Sequence, residues 1–165
     1  MLCANLMRLS LLASAGLYLL LISGTEAQIN PDKPMYFRSD SNSLIVAAMN
    51  SGADPLAARG TFAGEWEKFQ LIKNSDGTIS FLSLFNRKYV CADIDRGDRL
   101  IANKDWNQVW ERFYQVDNAD GTISLRANVN NKYVSADQHL PNATLVANRG
   151  SIGPWEKFRF YNYEN

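Results

Sequence analysis

From Met35 onward the chain carries short bursts of alternating apolar and polar residues. MYFRS, ISFLSL and ISLRA place a large apolar side chain at nearly every second position, the period of a strand with one buried face. A second kind of stretch follows each of them: LIVAAM, KYVCAD and KYVSAD. PLAAR, LIANK and LVANR come third, and WEKFQLI, WERFYQV and WEKFRFY come fourth. β-branched and aromatic residues dominate these stretches, and Gly, Asn, Asp and Pro collect between them. No segment after the first residues shows the three-to-four-residue period of an amphipathic helix.

The four stretches recur as a block. Trp66, Trp110 and Trp155 open the fourth stretch of each copy and stand 44 and 45 residues apart. A sustained period of that size is one structural unit written three times. The copies run over 35–78, 79–122 and 123–165, preceded by a lead-in at 28–34. NSDGT and NADGT join one copy to the next, and Asp-Gly supplies the left-handed positions of a tight hairpin. Three four-strand units are too few for a propeller, whose rings begin at about four blades. They suit an all-β β-trefoil, in which six strands form a short barrel and six more form capping hairpins. On that arrangement Phe69, Phe113 and Phe158 enter the core, and the Trp of each WE(K/R)F phrase packs at the barrel edge. Its Glu is expected to pair with the basic residue ending the third stretch: Arg59, Lys104 or Arg149.

Composition narrows the function. Lys plus Arg equals Asp plus Glu, so the formal net charge is zero. A neutral chain carries no electrostatic footprint for nucleic acid or an anionic membrane surface. The first 27 residues stand apart: Arg8, an apolar run from Leu9 to Ile22, then Thr25-Glu26-Ala27. That is the form of a signal peptide cleaved after Ala27, and the run is shorter than the roughly 20 residues of a membrane-spanning helix. The expected product is Gln28–Asn165, secreted, with no membrane insertion. Cys3 leaves with the leader, so Cys91 remains alone and no internal disulfide forms.

The combined pattern of KYVSAD, LVANR, a Gly-containing loop, WEKF and DGTISLRA resembles the fascin-like β-trefoil repeat. The resemblance covers all three copies. It implies the trefoil fold and, for a single trefoil with a leader, the secreted carbohydrate-binding branch, which is similar to ricin-type trefoils. In such modules an Asp after the second strand and an Asn near the end of the third bind sugar hydroxyls beside an aromatic face. A carboxylate accepts from hydroxyls, an amide donates and accepts, and a ring covers apolar C–H patches. The resemblance implies ligand-binding roles for Asp93 and Asn103 in repeat two and for Asp137 and Asn148 in repeat three. Repeat one carries Met49 and Ala58 at the corresponding places, which implies a lost pocket. Trp106, in the repeat-two loop, is the expected stacking platform; its counterparts are Phe62 and Ser151.

Other signals are weaker. Arg96-Gly97-Asp98 spells an adhesion tripeptide in one hairpin loop, and Asp93, Asp95 and Asp98 crowd carboxylates without the spacing of an EF-hand. Asn142-Ala-Thr144 is an N-glycosylation sequon. His139, one histidine in a loop, reads as solvated, and Cys91 as a buried filler. No nucleophile–base set, metal-ligand spacing or phosphate loop is present, so the chain reads as a binding protein without a cofactor. The leading expectation is a lectin-like protein whose partner is a glycan or polysaccharide. The rival is a protein-binding trefoil acting as adhesion ligand, inhibitor or growth-factor-like signal.

Overall fold

The structure, a computed structural model, describes residues 29–163. The signal peptide and its cleavage point lie outside the described residues. Twelve strands follow in order: β1 Met35–Ser39, β2 Ile45–Ala47, β3 Ala57–Gly60, β4 Phe69–Lys73, β5 Ile79–Ser83, β6 Tyr89–Asp93, β7 Arg99–Lys104, β8 Phe113–Asp117, β9 Ile123–Ala127, β10 Tyr133–Asp137, β11 Thr144–Arg149 and β12 Phe158–Asn162. The only helical elements among the described residues are short 3-10 turns.

Six strands close on themselves. β1 pairs with β4, β4 with β5, β5 with β8, β8 with β9, β9 with β12, and β12 returns to β1, every pair antiparallel. The remaining strands form three hairpins, β2–β3, β6–β7 and β10–β11. These meet as a triangle through Thr144↔Ala57, Val146↔Arg99 and the isolated bridge Pro55↔Ile101. A closed six-strand barrel under a hairpin triplet is the β-trefoil arrangement.

The barrel closes around stacked apolar layers, and period-2 alternation supplies them. Phe69, Phe113 and Phe158 are fully buried, as the repeat implies. Phe37, Phe81 and Leu125 form the neighbouring layer, and Phe37 lies 5.3 Å from both Phe69 and Phe81 and 5.9 Å from Phe158. Leu56, Leu100 and Leu145 perform the same office under the hairpin triplet.

Three sets of polar pins repeat with the fold. In each β1–β2-type turn an Asn reaches the third strand of its own repeat: Asn42 Nδ2 donates to Ala58 O at 3.0 Å, Asn86 to Ala102 O at 2.8 Å and Asn130 to Ala147 O at 2.8 Å. The same Asn accepts from the backbone two residues on, at Leu44, Lys88 and Lys132. The residue between adopts left-handed φ near 60° at Ser43, Arg87 and Asn131. In the joining turns Asp76 accepts from both the N–H and the hydroxyl of Thr78, and Asp120 does the same at Thr122. Each turn is then clamped from the next repeat, Arg112 to Asp76 at 2.8 Å and Lys157 to Asp120 at 2.5 Å. The third such turn is where the described chain starts and stops: Tyr163 N donates to Pro34 O at 2.8 Å and Met35 pairs with Asn162.

The Glu of WE(K/R)F turns inward. Glu67, Glu111 and Glu156 are buried and each accepts from a backbone N–H three residues earlier, at Gly64, Gln108 and Gly153 (2.9, 2.9 and 2.7 Å). That caps a 3-10 turn. The expected pairing with the basic residue appears beside it in repeat three, where Arg149 Nε lies 3.8 Å from Glu156. Burial raises the carboxyls of Glu67 and Glu111 above their ordinary value, against the pull of the backbone donors.

The joining turns set an acid limit. Thr78, with Arg112 behind it, holds the Asp76 carboxyl down to about 2. Lys157 and Thr122 hold Asp120 well below the usual carboxylate range. Both folded values lie under the unfolded ones, so their stabilisation is present above about pH 4 and drains as pH falls toward 2. The raised Glu67 and Glu111 work oppositely, favouring the fold most at low pH and losing that as pH rises past about 4.5. Asp76→Asn/Asp120→Asn is therefore expected to melt below the parent at pH 7. The gap should close between pH 4 and pH 2 in thermal melts followed by circular dichroism.

Candidate functional site

Each repeat folds a cleft between its capping hairpin and the 3-10 turn of its WE(K/R)F phrase. In repeat one this cleft is an open cavity of about 340 Å³, lined by Ala47, Met49, Arg59, Gly60, Phe62 and Trp66 among others. Strand pairing identifies the counterparts. Val46↔Ala58, Val90↔Ala102 and Val134↔Ala147 occupy one register position, and so do Ile45↔Gly60, Tyr89↔Lys104 and Tyr133↔Arg149. Arg59 therefore stands where repeats two and three carry Asn103 and Asn148. The expectation that Ala58 replaces the Asn is corrected by one residue: Ala58 lies inside the hairpin, aligned with Ala102 and Ala147. The apolar triplets of PLAAR, LIANK and LVANR gave no register; the Asn pins do. Met49 does occupy the place of Asp93 and Asp137.

In repeat two the corresponding positions are polar: Asp93, Asn103 and Lys104. Asp93 ends β6, buried to 4% exposure, yet its carboxylate accepts no hydrogen bond among the described residues; Arg96 Nε is 3.7 Å away. Asn103 Oδ1 lies 3.5 Å from the Cys91 thiol on the cleft floor. Lys104 reaches over the Trp110 ring, 5.6 Å from its centroid. The charges of Lys104, Asp93 and Glu111 all bear on the Cys91 thiol. Trp106 matches Phe62 of the repeat-one lining and is 68% exposed. Its loop is held on both sides: Asn107 donates to Asn74 at 2.8 Å and accepts from Ser80 at 2.9 Å, and Lys88 pairs with Asp105. The Trp106 ring is thus carried on an anchored loop.

Repeat three is closed by its own ions. Arg149 Nη2 donates to Asp137 Oδ2 at 2.8 Å, and the backbone N–H of His139 donates to Asp137 Oδ1 at 3.0 Å. The Arg149 guanidinium lies 5.8 Å from the Trp155 ring centroid, and the His139 ring meets Trp155 edge-on at 4.8 Å. Asn148 is exposed beside this cluster. The Ser135 hydroxyl, the counterpart of Cys91, is buried on the same strand with no partner among the described residues. A ligand in repeat three must displace Arg149 from its hydrogen bond to Asp137; a ligand in repeat two meets a carboxylate whose ion-pair partner, Arg96, stands off at 3.7 Å.

The remaining expectations fall as follows. Asp98 accepts from Asn130 at 3.1 Å, which ties the acidic end of Arg96-Gly97-Asp98 to repeat three. No group of three or more His, Cys, Asp or Glu among the described residues is arranged to hold a metal ion. No helix among them is long and apolar enough to cross a membrane. Asn142 is exposed in the turn Pro141–Ala143, with φ of 57°, and Thr144 Oγ1 donates to Pro141 O. Burial pushes the Cys91 thiol up to about 12.

No family model and no curated protein matches the chain. Solved structures do. A designed threefold-symmetric protein, ThreeFoil, superposes with a TM-score of 0.71 at 14% identity, over 79% of this chain and 99% of that one. A mosquitocidal holotoxin gives 0.70 at 15% identity, over 79% of this chain and 16% of the toxin. A GlcNAcα1-4Gal-releasing endo-β-galactosidase from Clostridium perfringens gives 0.66 at 9% identity, over 80% of this chain and 33% of the enzyme. This chain therefore spans a third or less of the two natural proteins.

A thiolate fraction this small makes Cys91 a poor nucleophile. Native protein at pH 8 is expected to leave a disulfide reagent such as 5,5′-dithiobis(2-nitrobenzoate) unreacted, and the same protein in denaturant to release one equivalent from this position; rapid native labelling would contradict the buried floor. At the identities found, the likenesses show the fold alone, and the fold is the β-trefoil.

Proposed function

We propose that the chain is a secreted glycan-binding protein of the fascin-like, carbohydrate-binding kind, without catalytic activity. The supporting observation is the repeat-two cleft. Asp93, which accepts no hydrogen bond among the described residues and has Arg96 at 3.7 Å, ends a strand of the hairpin that also carries Asn103 and Lys104; Lys104 lies over the Trp110 ring, and Trp106 is exposed on the loop that follows. That set accepts from hydroxyls, donates to them and covers the apolar face of a pyranose. The endo-β-galactosidase likeness is consistent with this, since the matched third of that enzyme has the same fold as this chain.

On this reading Asp93, Asn103 and Trp106 form the first site and Asp137 and Asn148 the second, which opens when Arg149 swings from Asp137. Each site is shallow, so single-site affinity is weak, on the order of millimolar. Two sites on one rigid body bind a polymer with greater avidity. Calorimetry with a short oligosaccharide identified on a glycan array is expected to give two sites of unequal strength. Asp93→Ala should remove the stronger one, and Asp93→Ala/Asp137→Ala should release the polymer entirely. Polymer retention by the folded double variant would defeat the proposal.

A protein-binding role is favoured by one feature. Phe62, Trp66 and Phe85 are exposed together, with Trp66 and Phe85 in edge contact at 6.1 Å. An array on which no glycan binds above background would favour that reading. Export is tested separately: protein recovered from the medium of a secreting host is expected to begin at Gln28, and an intact Met1–Ala27 on soluble product would argue against the leader.

A further inference from the structure

A second cavity lies apart from the repeat-one cleft. It measures about 970 Å³ and lies at the barrel end framed by the joining turns, away from the hairpin triplet. Ligand cavities fall at roughly 300–1,000 Å³.

One residue accounts for the opening. At the barrel mouth, the third position of β4, β8 and β12 is Leu71, Gln115 and Phe160. Leu71 and Phe160 are buried and line the cavity. Gln115 is exposed and donates sideways to Asp117 at 2.7 Å. The layer therefore lacks one of its three apolar plugs. Ile123 completes the floor, and Tyr36 and Tyr161, stacked at 5.2 Å, line it from the β1–β12 side.

The rim is charged with one sign in excess. Lys33, Lys73 and Arg159 line it against Asp117. Arg159 already serves Asp40 at 2.9 Å, whereas neither Lys33 nor Lys73 has an ion-pair partner among the described residues. A chamber of mixed lining, with Leu71, Ile123 and Phe160 as its apolar part and two unpaired ammonium groups beside them, suits a guest with an apolar body and a single anionic head.

We propose that this mouth binds a free long-chain carboxylate, its hydrocarbon on Leu71, Ile123 and Phe160 and its head group at Lys33 and Lys73. The site is independent of glycan binding, since it shares no residue with the clefts.

The probe is cis-parinarate, whose fluorescence rises in an apolar site, alongside its uncharged methyl ester. The purified protein is expected to give a saturable rise with the acid. Gln115→Phe restores the missing plug and should abolish that rise while melting no lower than the parent. Lys33→Glu/Lys73→Glu should weaken the acid about tenfold, as two exposed ion pairs lost would, and leave the ester unchanged. Asp93→Ala should bind the acid like the parent. Equal binding of the acid by the parent and Gln115→Phe would overturn the site. Acid binding untouched by the double charge reversal would overturn the head-group assignment. Sedimentation with phosphatidylglycerol vesicles, undiminished in Gln115→Phe, would instead show a surface contact with lipid and overturn the chamber.

Discussion

No repeat of this chain can bury its own phenylalanine. Phe37 needs Phe81 from the next repeat and Phe158 from the far end of the sequence, and Phe81 needs Phe160 from the third repeat. Each ring contributes about 1.5–3 kcal/mol only when fully covered, and coverage exists only after all six barrel strands have closed. The pairing of β1 with β12, which joins residues near 35 to residues near 162, is therefore a condition of the core rather than a consequence of it. The polar pins follow from the same requirement. Arg112 on Asp76 and Lys157 on Asp120 clamp neighbouring repeats at their turns, and at the third seam the backbone of Tyr163 and Pro34 makes the corresponding bond.

Given that frame, the clefts are free to differ, because their lining lies outside the barrel layers. The same three positions read Met49, Arg59, Gly60 in repeat one, Asp93, Asn103, Lys104 in repeat two and Asp137, Asn148, Arg149 in repeat three. A glycine leaves the first cleft open, a lysine laid on Trp110 leaves the second carboxylate to Arg96 alone at 3.7 Å, and an arginine occupies the third. The difference between lysine and arginine here is geometric. A planar guanidinium spans Asp137, Glu156 and Trp155 at once, whereas an ammonium on a flexible stem satisfies one neighbour.

The fold was legible because the repeat is written in large apolar residues. Phe69, Phe113 and Phe158 recur at fixed spacing, and only a threefold barrel uses four strands three times. The pins were less legible. Asn42, Asn86 and Asn130 sit in loops where asparagine is common, and their carbonyl partners are backbone, which sequence does not label. The inward turn of Glu67, Glu111 and Glu156 was hidden by the expectation that a carboxylate next to basic strands seeks a cation; a backbone N–H three residues back is nearer. The register of repeat one failed for a related reason: with Ala57 and Ala58 side by side, small residues carry no phase, and Arg59 was set against lysine and arginine instead of asparagine. The ion pair closing repeat three depends on rotamers across two strands, which no spacing reveals.

Gln115 bears on how such a chain divides its sequence between stability and use. At the same strand position Leu71 and Phe160 are buried, so an apolar residue there would enlarge the core, and glutamine forgoes that burial. The fold tolerates it because closure is carried two residues deeper, by Phe113, and because the mouth already meets water at the turns. A position whose loss the core can absorb, at the one end of the barrel not sealed by hairpins, is where a trefoil can hold a chamber without opening its β-ladder. The clefts obey the same rule at the other end, since Gly60, Lys104 and Arg149 follow the last core-facing residue of each hairpin by two places. In both cases variation begins where the apolar layers stop, and the threefold frame is left intact.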